Sequence, residues 1–191
     1  MITFQNVTRT YRTRRGELRA LDTVNLKIRE NEFLVVRGPS GSGKTTFLLC
    51  AGGMLRPTEG EITFDGKNIV TMNEKARAAW RAENIGFVFQ MFHLIPYLSV
   101  LENVMLPQGV GSRPVTKKRA SEIIERLRLS HRELHKPSEL SAGERQRAAI
   151  GRAMLNNPKV ILADEPTGNL DPEDENEVIG YLADFHKSGG T

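Results

Sequence analysis

The sequence predicts an α/β protein built on a parallel sheet, and three observations lead to this prediction. Residues 33–36 and 160–163 are continuous apolar runs, which are typical of strands buried on both faces. Residues 24–28 alternate between apolar and polar side chains, as expected of a strand with one solvated face. Helices are predicted after both continuous runs, one beginning near Thr45 and one over about 173–187, and this order favours a layered α/β fold.

The remaining elements follow from local patterns along the chain. Short strands are predicted at residues 2–4 and 61–64, and turn signals bound the second of them on both sides. Residues 72–156 are predicted to be mostly helical, because apolar side chains recur there at helical spacing. A long loop is expected inside this region, marked by Pro107, Gly109, Gly111 and Pro114.

The composition is that of an ordinary globular chain. The 191 residues carry a net charge of +4, with 39% hydrophobic and 26% charged residues, so disorder is not expected. The basic residues are dispersed, so nucleic acid is not an expected partner. The single cysteine, Cys50, lies in an apolar stretch; it excludes an internal disulfide and is expected to be buried. No apolar run is long enough to cross a bilayer and no signal peptide is visible, so a cytoplasmic location is expected.

A glycine-rich segment directly after residues 33–36 predicts a site for nucleotide phosphates. Its glycines let backbone N–H groups converge on phosphate oxygens, and the N-terminus of the following helix adds a positive end. Lys44 is expected to reach the β- and γ-phosphates, and the Thr45 hydroxyl to coordinate Mg²⁺. The alternative is a Gly- and Ser-rich turn that Lys and Thr follow by chance. The segment fits the pattern G-x-x-x-x-G-K-[ST] with Gly38, Pro39, Ser40, Gly41, Ser42, Gly43, Lys44 and Thr45.

Two carboxylates end the second apolar run. Asp164 and Glu165 follow residues 160–163, and the carboxyl end of a parallel strand faces the crevice where such sheets bind ligands. Asp164 is expected to hold Mg²⁺ through a water. Glu165 is expected to act as general base toward the water that attacks the γ-phosphate. Two acids that simply end a strand are the alternative, which the phosphate loop in the same chain disfavours.

The start of one predicted helix forms a second candidate anion site. Ser141 is followed three residues later by Glu144, which is the spacing of a capping box. The small residues Ala142 and Gly143 leave N–H groups at the helix N-terminus open to an anion. A helix start without any ligand is the structural alternative, and it is compatible with anion binding.

Taken together, these segments resemble the ABC-type ATPases over the whole chain. Residues 140–144 resemble the signature sequence of that family and, as in the family, lie before the strand that ends in two acids. Further matches follow in the family's order. They are Tyr11 for the aromatic residue that stacks on adenine, Phe89-Gln90 for the glutamine loop, and Asn169-Leu170-Asp171 for the loop after the catalytic glutamate.

The resemblance implies a P-loop NTPase fold, with a RecA-like parallel sheet core, an antiparallel β subdomain and a helical subdomain. It implies one ABC-type ATP-binding domain over residues 1–191, which would lack its C-terminal end. Within it, 1–89 and 157–191 would form the catalytic core with the β subdomain, and 90–156 the helical subdomain. It also implies that the chain binds ATP and Mg²⁺ and that it is an ATPase.

The resemblance further implies a head-to-tail homodimer with two ATP molecules at its interface. Each ATP would contact the phosphate loop of one subunit, with Thr46 near the α-phosphate, and Ser141 and Gly143 of the other subunit. Gln90 would complete the Mg²⁺ shell and sense a membrane partner, and Asp171 would communicate across the dimer. ATP binding would close the dimer and hydrolysis would release it.

Finer features resemble the bacterial lipoprotein-release and macrolide-export branch of the family. They imply an integral membrane permease subunit as partner, and a peripheral position on the inner face of the cell membrane. The segments that carry this resemblance are Phe92-His93-Leu94-Ile95-Pro96, Glu102-Asn103-Val104-Met105-Leu106-Pro107 and Pro166-Thr167-Gly168-Asn169-Leu170-Asp171.

The sequence departs from the family's pattern in two places. Ala142 and Glu144 stand where glycine and glutamine are frequent, and the Glu144 carboxylate should be tolerated if it points back to the helix cap. The family's switch histidine follows a further core strand, whereas this sequence ends at Thr191 and His186 lies in the preceding predicted helix. The sequence is therefore expected either to be a truncated domain or to have impaired hydrolysis, and impaired hydrolysis would fit an ATP-sensing module. A soluble ABC ATPase without a transport function is a separate alternative.

Overall fold

An antiparallel sheet forms the first part of the chain in the computed structural model, which describes residues 1–14, 16–110 and 115–191. The strands predicted at 2–4, 24–28 and 61–64 are confirmed, since each falls within a longer or equivalent strand of this sheet. The strands stand in the order β2-β1-β3-β4. Their bounds are β1 (Ile2–Thr13), β2 (Gly16–Ile28), β3 (Glu59–Phe64) and β4 (Lys67–Asn68).

The helix after the glycine-rich loop, α1 (Lys44–Ala51), packs on β1 of this sheet. The ring of Phe47 stacks on that of Phe4, with 4.8 Å between the ring centroids. Cys50 is fully buried, as predicted, and burial raises the pKa of its thiol to about 11. The thiol therefore stays protonated at neutral pH and acts as a small apolar side chain.

The strand predicted at residues 33–36 is wrong. These four residues, all of them described, form no strand, and 40–58% of the surface of each is exposed. Apolarity was the only signal for that strand, and a strand also needs a neighbouring strand that shares its hydrogen bonds. In this structure the glycine-rich loop therefore follows residues that belong to neither a strand nor a helix.

The second part of the chain is mainly helical around one pair of parallel strands, β5 and β6. The strand predicted at 160–163 and the helix predicted at 173–187 are confirmed by β6 and α6. The elements in chain order are α2 (Glu74–Asn84), β5 (Ile85–Phe89), α3 (Val100–Met105), α4 (Lys117–Arg126), α5 (Ala142–Met154), β6 (Val160–Asp164) and α6 (Pro172–Lys187), with 3₁₀ turns at Ser130–Arg132 and Pro137–Glu139.

Residues 72–156 are mostly helical, as predicted, but strand β5 interrupts them, and the sequence did not indicate this strand. Its five residues pair in parallel with β6, so that Phe89 lies opposite Asp164. A five-residue apolar run cannot be assigned to strand or helix by periodicity alone, and here the pairing with β6 decides it. Two residues of the predicted long loop, Gly111 and Pro114, lie outside the described residues.

Helix α5 is the centre of the apolar core in the second part of the chain. It contacts α3, α4, α6 and β5, and its residues Ala148, Ala149 and Ile150 are fully buried. Small side chains on this helix allow close contacts with neighbouring helices. A Cβ at Gly151 would lie 3.0–3.4 Å from side chains of α3 and of the C-terminal part of α4, which is tighter than most Cβ contacts in proteins. The middle of α5 is thereby closely packed within the second part of the chain.

The described chain divides into two compact units, Met1–Ala78 with Thr191 and Ala79–Gly190. The division into a catalytic core over 1–89 and 157–191 and a helical subdomain over 90–156 stays a prediction. Among the described residues, every helix is too short or too polar to serve as a membrane span.

Candidate functional site

The glycine-rich loop closes on itself around the Lys44 side chain. The Nζ of Lys44 donates hydrogen bonds to the carbonyl oxygens of Gly38, at 3.1 Å, and Pro39, at 3.2 Å. The Ser42 N–H donates to the same Pro39 oxygen at 3.2 Å. Carbonyl oxygens are weaker partners for an ammonium group than phosphate oxygens are.

The backbone of this loop lies directly against strand β2. Gly43 has a φ of +92°, and a Cβ at this position would overlap the carbonyl oxygen of Ala20. The ladder between β1 and β2 is irregular at that point, because Arg9 faces Leu21 whereas the next residue of β1 faces Arg19. Ala20 is therefore the extra residue of a β-bulge, which turns its carbonyl out of the ladder. Only glycine combines this φ with so close an approach.

The bulge brings the predicted base-stacking residue near the phosphate loop. Tyr11 pairs with Leu18 in the β1–β2 ladder, two residues from Ala20 in β2. Thr45 is exposed and Thr46 half-buried in the first turn of α1, which contains no acidic residue. The first unit thus places Tyr11 and the whole phosphate loop in one region.

The carboxyl ends of β5 and β6 bring together the predicted residues of the second unit. Because Phe89 lies opposite Asp164, the next residues, Gln90 and Glu165, leave the two strands side by side. A Cβ on Gly168 would lie 2.8 Å from the Gln90 Nε2, and the Asn169 side chain donates to the Gln90 carbonyl at 3.1 Å. The glutamine loop and the loop after Glu165 are therefore in direct contact.

Glu165 adopts a backbone conformation that non-glycine residues rarely show. Its φ is +46°, and its carbonyl accepts a hydrogen bond from the Gly168 N–H at 3.1 Å in the turn that follows. Strained conformations of this kind persist where the surroundings fix them, and they concentrate at functional sites. Glu165 is exposed, whereas Asp164 is half-buried.

The capping box at the start of α5 forms as predicted. The Glu144 N–H donates to Ser141 Oγ at 3.1 Å, and the Ser141 N–H donates to Glu144 Oε2 at 2.8 Å. The second carboxylate oxygen accepts from Arg132 Nε at 2.9 Å. Burial acts to raise the pKa of Glu144, but the Ser141 and Arg132 hydrogen bonds hold this pKa below its ordinary value. The unusual glutamate therefore points back to the cap and its charge is compensated.

The second small residue of this helix start, Gly143, is buried under an acid. A Cβ at Gly143 would overlap the carboxylate of Asp174, in the first turn of α6. Arg147 holds this carboxylate in place with hydrogen bonds of 3.0 Å to Asp174 and 2.8 Å to Glu177. A glycine is thus required where α6 meets the N-terminus of α5, independently of any ligand.

We expect Gly143→Ala to lower the free energy of unfolding by about 1–3 kcal/mol, because the new methyl group displaces the Asp174 carboxylate and breaks its ion pair with Arg147. Gly180→Ala is the matched control. Gly180 also lies in a helix, but its Cβ position is open, so this change should stabilise the protein by about 0.5–1 kcal/mol. Urea unfolding of both variants measures the difference.

A double mutant identifies the cause of the Gly143→Ala effect. Asp174→Ala removes the carboxylate that the methyl group meets, so Gly143→Ala should cost much less in that background. An unchanged cost would contradict the contact.

Asp171 caps the helix that follows its loop. Its Oδ1 accepts hydrogen bonds from the N–H groups of Glu173, at 3.1 Å, and Asp174, at 2.9 Å, and Pro172 occupies the first helical position. The carboxylate thereby fixes the start of α6. A role of Asp171 in communication across a dimer stays a prediction.

The structure also reveals polar residues of α5 that the sequence did not single out. Gln146 is fully buried, and its amide donates to the carbonyl of Pro166 at 2.7 Å. Arg152 donates to the carbonyls of Phe92 and His93, at 2.8 and 2.5 Å, and so holds a turn in which both residues have positive φ. The sequence feature that could have identified Gln146 and Arg152 is the presence of polar residues in a helix with many apolar side chains.

These features define the class of protein before any comparison is made. A glycine-rich loop that opens a helix, together with paired parallel strands ending in acids and a glutamine, is typical of a nucleoside triphosphatase. The profile of the ABC transporter family matches residues 21–168, and the chain belongs to this family. The chain is therefore an ATP-binding ATPase cassette, in agreement with the resemblance of its motifs.

The matches to similar proteins extend over most or all of this chain. The lipoprotein-releasing system ATP-binding protein LolD of Wigglesworthia glossinidia brevipalpis is 46% identical over 169 residues, which are 87% of this chain and 74% of LolD. LolD of Maricaulis maris is 44% identical over 186 residues, 96% of this chain and 81% of LolD. The dimeric structure of the ATP-binding cassette MJ0796 bound to ADP and Pi has a TM-score of 0.93 and 41% identity, and the match covers 100% of this chain and 85% of that one. The fold predicted from the sequence is thereby confirmed.

Proposed function

We propose that this chain is the ATP-hydrolysing subunit of a membrane export or lipoprotein-release complex, which it drives through ATP-dependent head-to-tail dimerisation. The observation that carries the ATPase part is the pairing of β5 with β6, which sets Gln90 and Glu165 side by side at the carboxyl ends of the two strands. The similarity to LolD proteins supports the membrane part.

The phosphate loop and Tyr11 are assigned to the nucleotide. In this proposal the Lys44 ammonium, which contacts the carbonyl oxygens of Gly38 and Pro39 in this structure, binds the β- and γ-phosphates. The loop N–H groups and the first turn of α1, with Thr45 and Thr46, hold the remaining phosphate oxygens. The Tyr11 ring stacks on the adenine.

The residues assigned to Mg²⁺ fit that ion. The Thr45 hydroxyl, the Gln90 side-chain carbonyl and the Asp164 carboxylate are hard oxygen donors, which Mg²⁺ prefers. When bound, the ion neutralises charge that develops on the phosphates during transfer. Few protein ligands are needed, because Mg²⁺ in such sites keeps several waters and binds the phosphates of the substrate.

Hydrolysis is assigned to Glu165. Its carboxylate accepts a proton from a water molecule as the water oxygen attacks the γ-phosphorus in line with the leaving ADP oxygen. The P–O bond to the β-phosphate breaks, so the products are ADP and inorganic phosphate. The exposed position of Glu165, fixed by its strained backbone, suits a base that must meet a water beside a bound nucleotide.

Dimerisation and partner binding complete the proposal. Ser141 and Gly143 of one subunit would contact ATP held by the phosphate loop of the other, so ATP favours the closed dimer through contacts that the open state lacks. The dimeric state of MJ0796 supports this. In the second unit, Met91, Tyr97 and Leu134 expose 67%, 72% and 80% of their surface, which supports a docking face for a permease at the cytoplasmic side of the membrane.

A test of the proposed nucleotide site compares Lys44→Ala with Lys67→Ala. The control removes a side chain of the same charge from β4, where Lys67 is exposed, whereas Lys44 is half-buried. We expect Lys44→Ala to weaken ATP binding about 10- to 100-fold, because a charge-assisted contact to the triphosphate is lost, and Lys67→Ala to have no effect. Isothermal titration calorimetry measures the affinity for ATP, and the rate of phosphate release measures the turnover.

Three results, from this test and from assays of dimerisation and nucleic-acid binding, separate the alternatives. Equal ATP affinity in the wild-type protein and Lys44→Ala would contradict the phosphate-loop assignment. Binding and dimerisation without phosphate release would instead favour an ATP-sensing module. Strongly salt-dependent binding of nucleic acid would favour a soluble ABC ATPase that does not act in transport.

A further inference from the structure

The ring of Tyr11 is covered on one face by an arginine of its own strand. The guanidinium carbon of Arg9 lies 4.8 Å from the centre of the Tyr11 ring, in the geometry of a cation–π contact. Arg9 and Tyr11 are two residues apart in β1, so their side chains stand on the same face of the sheet. A planar ring has two faces, and only the other one is left for a base.

The Arg9 guanidinium has one hydrogen bond and one buried nitrogen beside this ring. Its Nη1 donates a hydrogen bond to the carbonyl oxygen of Arg56 at 3.1 Å. Its Nε is buried without a hydrogen-bond acceptor among the described residues, so the π face of Tyr11 is the partner that remains for this part of the guanidinium. Burial raises the pKa of the Cys50 thiol and the charge of Arg9 lowers it, which places Arg9 close to α1 as well.

An exposed leucine stands beside the same ring. Leu18 lies directly opposite Tyr11 in the antiparallel β1–β2 ladder, so both side chains point to the same face of the sheet. Leu18 exposes 57% of its surface, which makes it an apolar side chain at a solvent-facing position of the strand. Tyr11 and Leu18 together form a small apolar platform, and the phosphate loop contacts β2 two residues away, at Ala20.

We propose that Arg9 is the positioning residue of the base platform, which fixes the Tyr11 ring so that a purine stacks on its open face and against Leu18. This inference rests on the proposed function, in which Tyr11 contacts the adenine of ATP. Arg9 acts through the ring and makes no contact with the phosphates. The platform consists of an aromatic ring and an alkyl side chain. It therefore contacts the flat face of a purine and does not distinguish the polar groups on the edge of the base.

The test compares two ligands that carry a triphosphate chain, ATP and inorganic tripolyphosphate, which lacks the nucleoside. We expect Arg9→Ala to weaken ATP binding about fivefold, and Leu18→Ser about threefold, while the affinity for tripolyphosphate changes by less than about twofold. Arg9→Lys keeps a cation over the ring and should retain most of the ATP affinity. Titration calorimetry on the 191-residue protein gives all of these dissociation constants.

A neighbouring arginine supplies the control. Arg12 lies in the same strand, its side chain is 92% exposed, and its ion pair with Glu17 is long at 3.9 Å. Arg12→Ala removes the same charge as Arg9→Ala. It should change the affinity of neither ligand beyond about twofold, because an almost fully exposed charge contributes little to binding.

The outcomes distinguish this inference from the proposed function. If Arg9→Ala weakens tripolyphosphate as much as ATP, Arg9 acts on the phosphates and the positioning role is overturned. It is also overturned if ATP affinity is the same in Arg9→Ala, Leu18→Ser and the wild-type protein. A wild-type protein that binds neither ligand would instead contradict the proposed function, and the role of Arg9 with it.

Discussion

Glu165→Gln is expected to lower ATP turnover by about 10²- to 10⁴-fold while ATP binding remains intact. The amide is almost the same size as the carboxylate, so the strained backbone at φ +46° and the turn to Gly168 should be preserved. The amide cannot accept a proton from the attacking water. ATP should therefore persist at the dimer interface, and light scattering with ATP should show a stable dimer, with phosphate release as the measure of turnover.

Glu175→Gln is the matched control for this prediction. Glu175 is an exposed acid in the first turn of α6, ten residues from Glu165, and its change removes the same charge. Turnover by this variant should equal that of the wild-type protein. Unaltered turnover by Glu165→Gln would show that another group takes the proton, and a proportional loss in both variants would indicate a general effect of charge.

Asn103→Ala is expected to lower the free energy of unfolding by about 2–4 kcal/mol. The Asn103 side chain is fully buried, and its Oδ1 accepts the Ile95 N–H at 2.7 Å. Its Nδ2 faces the carbonyls of Ile95, Leu98 and Ser99 at 3.0–3.1 Å. Truncation to alanine leaves these partly buried backbone groups without hydrogen-bond partners. The loop that contains Ile95, Leu98 and Ser99 should therefore be held less tightly against α3. Urea unfolding measures the change.

Asn176→Ala shows what the loss of an exposed asparagine costs. The Asn176 side chain donates a single hydrogen bond to the Pro172 carbonyl at 2.8 Å on the surface of α6. We expect a change within about 0.5 kcal/mol at this position. Similar costs at both asparagines would mean that the buried network around Asn103 contributes little to stability.

Local chemistry explains which features could be read from the sequence. The glycine pattern from Gly38 to Gly43 and the capping box of Ser141 and Glu144 each depend on a few consecutive residues. The capping box forms as predicted, and the predicted helix α1 follows the glycine pattern. The acids that end β6 follow from the position of one apolar run. The family resemblance rests on these short segments, and the family profile agrees with it.

Pairing between distant segments explains where the sequence misled. Residues 33–36 and Ile85–Phe89 are both short and apolar, yet only the second run forms a strand, because β6 supplies its hydrogen-bonding neighbour. Apolarity states that a segment prefers burial, and it says nothing about which segment will cover it.

The sequence by itself indicated the kind of chemistry, through a glycine-rich loop before Lys44, two acids after a strand and a capped helix start. Only the tertiary structure decided how these groups are supported. Arg9 lies over the Tyr11 ring, Asp174 lies against Gly143, and Gln90 lies beside the loop of Gly168. Each of these contacts joins residues whose distance depends on bulges, ladders and helix packing, and no local pattern encodes it. The physical reason is that a motif specifies which atoms can react, whereas the folded chain fixes where those atoms are held.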